Sequence, residues 1–118
     1  AELNELAASW PLGAHAVALL LAWTTDEVQH WLTRSRAQLR TWKAEQVAML
    51  QSLGWDCHPS HTPYFCARPP QPLDAHALRQ RGFKLRPTDN MGLAGHWRLS
   101  VQPPAAQAAL HQALLQHP

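Results

Sequence analysis

The segment Gly95-His96-Trp97-Arg98-Leu99-Ser100-Val101 alternates strictly between apolar and polar side chains. Trp97, Leu99 and Val101 would share one face of an extended backbone, and His96, Arg98 and Ser100 the other. A period of two residues is typical of a half-buried strand. The segment therefore predicts a strand whose apolar face belongs to the core and whose polar face carries one arginine.

Arg98 is the first candidate functional residue. A guanidinium on a rigid strand, following a glycine-containing loop, can bind a carboxylate or a phosphate through two parallel hydrogen bonds. The alternative is a surface arginine in a structural ion pair, which is the usual role of an exposed charge. The alternation alone leaves both open.

Composition limits the class of protein. The chain has 118 residues, 46% of them hydrophobic, which suffices for one domain with a core that needs neither disulfides nor metal. The formal net charge is only +2, and the basic residues form no stripe that alternates with aromatic ones. These features argue against a nucleic-acid-binding protein.

No targeting or membrane segment is expected. The longest apolar run, residues 14–23, is about half the length of a bilayer span and contains His15. The start Glu2-Leu3-Asn4-Glu5 lacks the basic region of a signal peptide. Two cysteines are too few for a disulfide framework, so we expect a reducing, cytoplasmic context.

The first part of the chain predicts helices. Residues 3–9 resemble the tail of a preceding element, and Trp10-Pro11-Leu12-Gly13 would redirect the backbone into a helix over residues 14–23. That helix is apolar on nearly every side, so it requires neighbours on several sides. We expect its surface to be exposed in this chain, where a further domain would dock, with self-association as one way of covering it.

A long helix follows. Thr24-Thr25-Asp26-Glu27 is a capping-box sequence, and Gly54 would end the helix about 28 residues later. One stripe at spacings of three and four runs along it: Val28, Trp31, Leu32, Ser35, Leu39, Trp42, Gln46, Met49, Leu50 and Leu53.

The rest of the chain predicts a small sheet with two more helices. The expected strands are residues 55–58, 63–68, 83–86 and 97–101. The first two would form a hairpin, which the prolines place at an edge or at strand ends. The second strand would carry Phe65 and Ala67 on one face and Tyr64, Cys66 and Arg68 on the other. The expected helices are residues 73–81 and a closing helix whose inward stripe is Ala106, Ala109, Leu110, Ala113 and Leu114. The predicted fold class is α+β, a mainly antiparallel sheet with helices on one face, preceded by the long helix.

Two other groups of residues have side chains capable of chemistry. Cys57, His58, His61 and Cys66 could ligate zinc or supply a nucleophile, but their spacing is not that of common zinc sites. A cross-strand pair of buried thiols is favoured instead. Lys43 and Lys84 are the only lysines, and neither lies in a sequence typical of a desolvated Schiff-base amine.

Several motifs, taken in order, resemble a known family: Trp10-Pro11-Leu12-Gly13, Leu53-Gly54, Pro59-Ser60, Arg81-Gly82-Phe83-Lys84-Leu85-Arg86 and Trp97-Arg98-Leu99-Ser100-Val101. Their order and spacing are similar to the C-terminal small domain of fold-type I pyridoxal-phosphate aminotransferases. Within that class the histidinol-phosphate aminotransferase branch is most similar, which also contains the threonine-phosphate decarboxylases of cobalamin synthesis.

The resemblance implies roles for two arginines. In the family, the arginine that matches Arg98 binds the anionic group of the substrate, and Arg86 matches a recurrent arginine on the preceding strand. The chain departs from the family at Pro63-Tyr64, where Asn usually precedes Phe, and at Gln102, where glycine is common. These departures affect the expected substrate preference.

The resemblance also implies what this chain does not contain. The Schiff-base lysine and the phosphate-binding residues belong to the family's large domain, and no matching motif occurs here. Residues 1–118 are therefore expected to form one small domain without catalytic residues, metal ligands or bound pyridoxal phosphate. In the full-length enzyme, a homodimer of amino-acid biosynthesis, it would bind an amino acid or its phosphate ester. A non-enzymatic α+β ligand-binding module is the alternative.

Overall fold

The computed structural model describes residues 12–116, and the chain divides into two units, Ala1–Arg36 and Ala37–Pro118. The expectations for residues 3–9 and for Trp10-Pro11 lie outside the described residues. Among residues 12–116, no helix is both long and apolar enough to span a membrane. The α+β fold class with a long helix before a small antiparallel sheet is confirmed.

In the first unit, helix α1 spans Ala14–Trp23, as predicted, and none of its residues is buried. Thr24 and Thr25 follow it, and their hydroxyls donate to the carbonyls of Leu21 and Ala22 at 2.8 and 2.7 Å. The two hydroxyls therefore do not form the predicted capping box at the start of the next helix. The last carbonyls of a helix lack intrahelical partners, and both hydroxyls bind there instead.

Helix α2 spans Asp26–Ser52, close to the predicted bounds, and Gly54 follows it with a φ of 80°. The predicted stripe is confirmed where it meets the core: Gln46 and Leu50 are buried, and Leu39, Trp42, Met49 and Leu53 pack against buried residues. Trp31 of the same stripe is 55% exposed.

The sheet has four antiparallel strands in the order β1-β2-β4-β3. Strand β1 spans Asp56–Cys57, β2 Tyr64–Arg68, β3 Arg86–Pro87 and β4 Trp97–Ser100. The predicted β1–β2 hairpin forms, and β3 pairs with β4. Of the hairpin, only β1 lies at an edge, because β2 pairs with β4 on its other side.

The third strand differs from its prediction. It begins at Arg86 and not at Phe83, since the Phe83 N–H donates to the Leu78 carbonyl at 2.9 Å and closes the end of the preceding helix. That helix, α3, spans Ala75–Gln80 and is capped by Asp74, whose carboxylate accepts from the Ala77 N–H at 2.9 Å.

Helix α4 spans Pro104–Leu115, with Pro104 in the first turn as predicted. Its buried residues are Gln107, Leu110, Ala113 and Leu114, whereas Ala109 is exposed, contrary to the expected stripe. The reason is that the Gln107 side chain donates to the Trp42 carbonyl at 2.8 Å, which turns Gln107 into the core.

The core lies on the sheet face that carries Phe65, Ala67 and Leu99. The predicted alternation is confirmed in both central strands, because Phe65 and Leu99 are Cα partners and both are buried. The buried apolar residues are Leu50, Trp55, Phe65, Ala67, Leu78, Leu99, Val101, Leu110, Ala113 and Leu114. Trp97 is only half-buried, and packs against this core from its border.

Candidate functional site

The pairing of β3 with β4 brings the two predicted arginines together. Arg86 and Arg98 are Cα partners in the antiparallel register, so both side chains leave the same face of the sheet. Like charges directly opposite one another repel. Two facing arginines are therefore more favourable with an anion between them than without one.

Tyr64 orients the guanidinium of Arg98. The guanidinium carbon lies 5.3 Å from the centre of the Tyr64 ring, within the range of a cation–π contact. Tyr64 is on β2, two positions from Cys66, which is the Cα partner of Arg98. From the sequence, Tyr64 stood out only as a departure from the family pattern, and its contact with Arg98 depends on the register of β2 and β4.

A cavity of about 410 Å³ lies beside the arginines. Its lining includes Lys84, Arg86 and Arg98 and contains no aspartate or glutamate. The other lining residues are Gln46, Gly82, Phe83, Leu85, Leu99, Ser100, Gln102, Ala106, Gln107 and Leu110. Three cations without a lining carboxylate give the cavity a positive potential suited to an anionic ligand.

The positive charge of this cavity is not neutralised by ion pairs. Across residues 12–116, the structure has one salt bridge, between Arg68 and Asp56 at 3.6 Å, with both side chains mostly exposed. Arg98 is therefore not part of a structural ion pair with any described residue, which was the alternative role. Its guanidinium donors remain available for a planar anion.

Three glutamines, Gln46, Gln102 and Gln107, form the polar wall of the cavity. The amide of buried Gln46 donates to the Ser100 carbonyl at 3.1 Å and accepts from the Gln102 N–H at 2.9 Å. Gln107 donates to the Gln102 carbonyl at 2.7 Å. These bonds satisfy the backbone just beyond β4 and fix α2 and α4 against it.

The loop before β4 is held by Thr88, which is fully buried. Its hydroxyl lies 2.8 Å from the Leu93 carbonyl and 2.9 Å from the His96 carbonyl. Its N–H also donates to the His96 carbonyl, at 3.2 Å. The start of the strand that carries Arg98 is thereby fixed, although sequence reasoning gave Thr88 no role.

The cysteine and histidine group does not form the site that its composition allows. Cys57 pairs with Ala67 and Cys66 with Arg98, so the two thiols lie on opposite faces of the sheet. The prediction of a cross-strand pair of buried thiols is wrong, because Cys57 lies on the core face of the sheet and Cys66 on the opposite face. No group of three potential metal ligands occurs among residues 12–116.

Neither lysine lies in a Schiff-base environment. The Lys43 ammonium donates to the carbonyls of Ser60 and Thr62, the latter at 3.0 Å, and so fastens the β1–β2 turn to α2. Lys84 is exposed at the rim of the cavity. A lysine that forms a Schiff base is activated by a desolvated, apolar pocket or by a neighbouring cation, and the hydrogen bonds of Lys43 and the exposure of Lys84 provide no such pocket.

The sequence matches a family model, described as "Aminotransferase class I and II", over residues 1–114. The chain therefore belongs to the class I and II aminotransferase family. No curated protein sequence matches the chain significantly.

Solved structures share the fold. A decarboxylase from Sulfurospirillum multivorans superposes with a TM-score of 0.81 at 15% identity, over 98% of this chain and 35% of its own. A protein named as an aminotransferase from Burkholderia pseudomallei superposes with a TM-score of 0.61 at 21% identity, over 69% of this chain and 26% of its own. The L-threonine-O-3-phosphate decarboxylase of Porphyromonas gingivalis superposes with a TM-score of 0.51 at 25% identity, over 65% of this chain and 27% of its own. The chain thus spans between 26% and 35% of these proteins.

Family membership implies pyridoxal phosphate as the cofactor of a full-length enzyme. The residues described here do not fit the cofactor by themselves, because Lys43 is committed to backbone carbonyls and Lys84 is solvent-exposed. What the described residues do offer is a rigid, cationic surface for an anion.

Proposed function

We propose that this chain is the small C-terminal domain of a pyridoxal-phosphate enzyme and that Arg98, assisted by Arg86, binds the anionic group of its amino-acid substrate. The observation that carries the proposal is the facing pair of arginines beside a cavity whose lining has no carboxylate. The domain's contribution is to position the substrate, while the cofactor supplies the electron sink for bond cleavage at the amino-acid α-carbon.

Each part of the site has a physical role in this proposal. Arg98 forms the paired hydrogen bonds to a carboxylate or phosphate, and Tyr64 limits the rotation of its guanidinium. Arg86 adds a second positive charge from the facing strand. Lys84 at the rim attracts anions from solution but lacks the planar fork that fixes their orientation.

The finer assignment that we propose is a histidinol-phosphate aminotransferase-like enzyme that acts on an amino acid or its phosphate ester. The partners are the large domain of the same enzyme and a second copy of the enzyme in a homodimer. Because three cations line one cavity, a substrate with two anionic groups fits the charge better than one with a single carboxylate.

A threonine-phosphate decarboxylase is the second candidate. It is favoured by the similarity to the P. gingivalis enzyme, which is 25% identical over 65% of this chain. Incubation of the full-length enzyme with L-threonine phosphate separates the two candidates. Release of CO₂ without a keto-acid acceptor would support the decarboxylase, whereas acceptor-dependent formation of a keto product would support the aminotransferase.

The role of Arg98 is tested by kinetics on the full-length enzyme. We expect Arg98→Ala to lower kcat/KM about ten- to hundredfold, because loss of a charged hydrogen-bond partner costs about 1.5 to 3 kcal/mol. Arg98→Lys should recover only part of this loss, since it keeps the charge and loses the fork. Arg68→Ala is the matched control, an exposed arginine already paired with Asp56.

A melting experiment separates binding from folding. Arg98 lies on the polar face, so Arg98→Ala should barely change the melting temperature, whereas Trp97→Ala should lower it with kcat/KM near normal for the folded fraction. An Arg98→Ala enzyme that melts early while keeping its turnover would show that Arg98 is structural. Equal kinetic losses in Arg98→Ala and Arg68→Ala would also contradict the assignment.

A further inference from the structure

His58 and His96 meet across the polar face of the sheet. His58 follows β1, where its N–H donates to the Cys66 carbonyl at 2.9 Å, and His96 precedes β4. The two Nε2 atoms are 3.0 Å apart. The ring centres are separated by 4.8 Å and the ring planes are inclined by 63°. Residues 38 positions apart in the chain thus bring two imidazole nitrogens to one point.

The backbone fixes the tautomer of His96. Its Nδ1 lies 2.9 Å from the Ala94 carbonyl oxygen, which can only accept a hydrogen bond. Nδ1 therefore carries the proton, and in the neutral ring Nε2 carries a lone pair. A ligating histidine in metalloproteins almost always donates its other N–H to a carbonyl or carboxylate in this way.

The separation of the two nitrogens fits a shared metal ion. Imidazole nitrogen lies about 2.0 to 2.1 Å from a bound zinc ion, so two such bonds at nearly a right angle place their nitrogens about 3 Å apart. The observed 3.0 Å matches two adjacent ligands of a square-planar or octahedral ion. In the metal-free state, His58 Nε2–H donates to His96. Moving that proton to Nδ1 of the exposed His58 ring frees a second lone pair.

We propose that His58 and His96 form a two-histidine site for a divalent transition-metal ion that imidazole favours and that accepts ligands at right angles, namely Ni²⁺ or Cu²⁺. The remaining ligands are water, because no group of three candidate ligands occurs among residues 12–116. The site is independent of the proposed enzymatic function and lies outside the arginine-lined cavity.

The neighbouring charges are compatible with a cation. Asp89, in the loop before β4, lines a cavity together with His96 and accepts a hydrogen bond from the Gly95 N–H at 3.3 Å. Arg68 lines the same cavity, but it is paired with Asp56 at 3.6 Å. A bound ion would join the end of β1 to the loop before β4, two elements on opposite sides of β2.

The test is calorimetric titration of the 118-residue chain with Ni²⁺ alone. We expect one equivalent to bind, and His58→Asn and His96→Asn each to weaken binding about tenfold or more, as loss of even an outer-shell partner of a ligand does. His76→Asn, which changes an exposed histidine on α3, and His61→Asn, in the β1–β2 turn, are matched controls that should bind like the original chain.

A spectroscopic readout keeps the test independent of folding. Ni²⁺ should broaden the ring signals of His58 and His96 before those of the other histidines, and metal-free melting of each variant checks that it folds. Absence of saturable binding to the original chain would overturn the proposal. So would unchanged binding in the folded His58→Asn and His96→Asn variants, or an equal loss in His76→Asn.

Discussion

Helices α1 and α4 are both short and rich in alanine and leucine, but only α4 is buried. None of the ten residues of α1 is buried, whereas α4 buries Gln107, Leu110, Ala113 and Leu114 among its twelve. The less apolar helix is the buried one, because Pro103 and Pro104 start it directly after β4 and it packs into the core. Burial is decided here by the neighbouring sheet and not by composition.

The exposed apolar surface of α1 has a consequence for partners. Leu19, Leu20 and Leu21 are 63%, 53% and 67% exposed, and Val17 and Trp23 are also exposed. A surface of this kind on a single helix usually marks an interaction site. In our proposal its partner is the large domain of the same enzyme.

The largest effect is expected for Leu110→Ala in α4. Leu110 is 5% exposed within the core, and removing a buried leucine side chain costs about 2 to 5 kcal/mol. Chemical denaturation measures this loss. A loss of unfolding free energy no larger than that of a substitution at an exposed position would mean that α4 does not pack on the core in solution.

Gln46→Ala should have the next largest effect. Gln46 is 1% exposed, and its amide satisfies the Ser100 carbonyl and the Gln102 N–H. Leaving a buried backbone group without a partner costs about 1 to 3 kcal/mol. Glu45→Ala, its exposed neighbour on α2, is the matched control, and equal denaturation midpoints for the two variants would contradict the role of the amide.

A smaller, pH-dependent effect is expected at Cys57, which packs against the same core as α4. Burial, and secondarily the Asp56 carboxylate, raise the pKa of this thiol. As the pH rises, the thiol ionises first in the unfolded chain, at about pH 8.5. The contribution of Cys57 to the free energy of unfolding is therefore complete below that pH and is lost as the pH rises through the folded pKa. Melting curves from pH 7 to 10 should show a shallower fall in Cys57→Ala than in the original chain. A fall of unchanged steepness would contradict the prediction.

The smallest effect is expected for Leu19→Ala in α1. Leu19 is 63% exposed, and surface substitutions usually change stability within about 0.5 kcal/mol. The same variant, combined with Leu21→Ala, should reduce self-association measured by sedimentation. A destabilisation equal to that of Leu110→Ala would show that α1 is buried within this chain, and would remove the contrast between the two helices.

Periodicity predicted most of the fold. The bounds of α1 and α2, the β1–β2 hairpin, and the faces of Phe65 and Leu99 all follow from spacing. The start of β3 could not be predicted, because it depends on the Phe83 N–H closing α3. The burial of Gln107 could not be predicted either, since a polar residue enters the core only where distant backbone groups need a partner.

The sequence predicted the arginines of the candidate site but not the residues that hold them in place. The alternation of β4 predicted that Arg98 lies on the polar face. Its position opposite Arg86 depends on the register between β3 and β4, which the alternation does not contain. Tyr64 and Thr88 act through contacts between elements distant in sequence, which no local pattern contains. The separation of Cys57 from Cys66 likewise depends on a register that the intervening prolines left open.

The Gln46 amide also bears on the order of folding. Its two bonds join residues 54 and 56 positions apart, so they form only after a loop of more than 50 residues has closed. Closing long loops is slow compared with forming helices and hairpins. The N–H of Gln102 is therefore a reporter of this late step, and in pulsed hydrogen exchange it should become protected after the amides of α2 and of the β1–β2 hairpin.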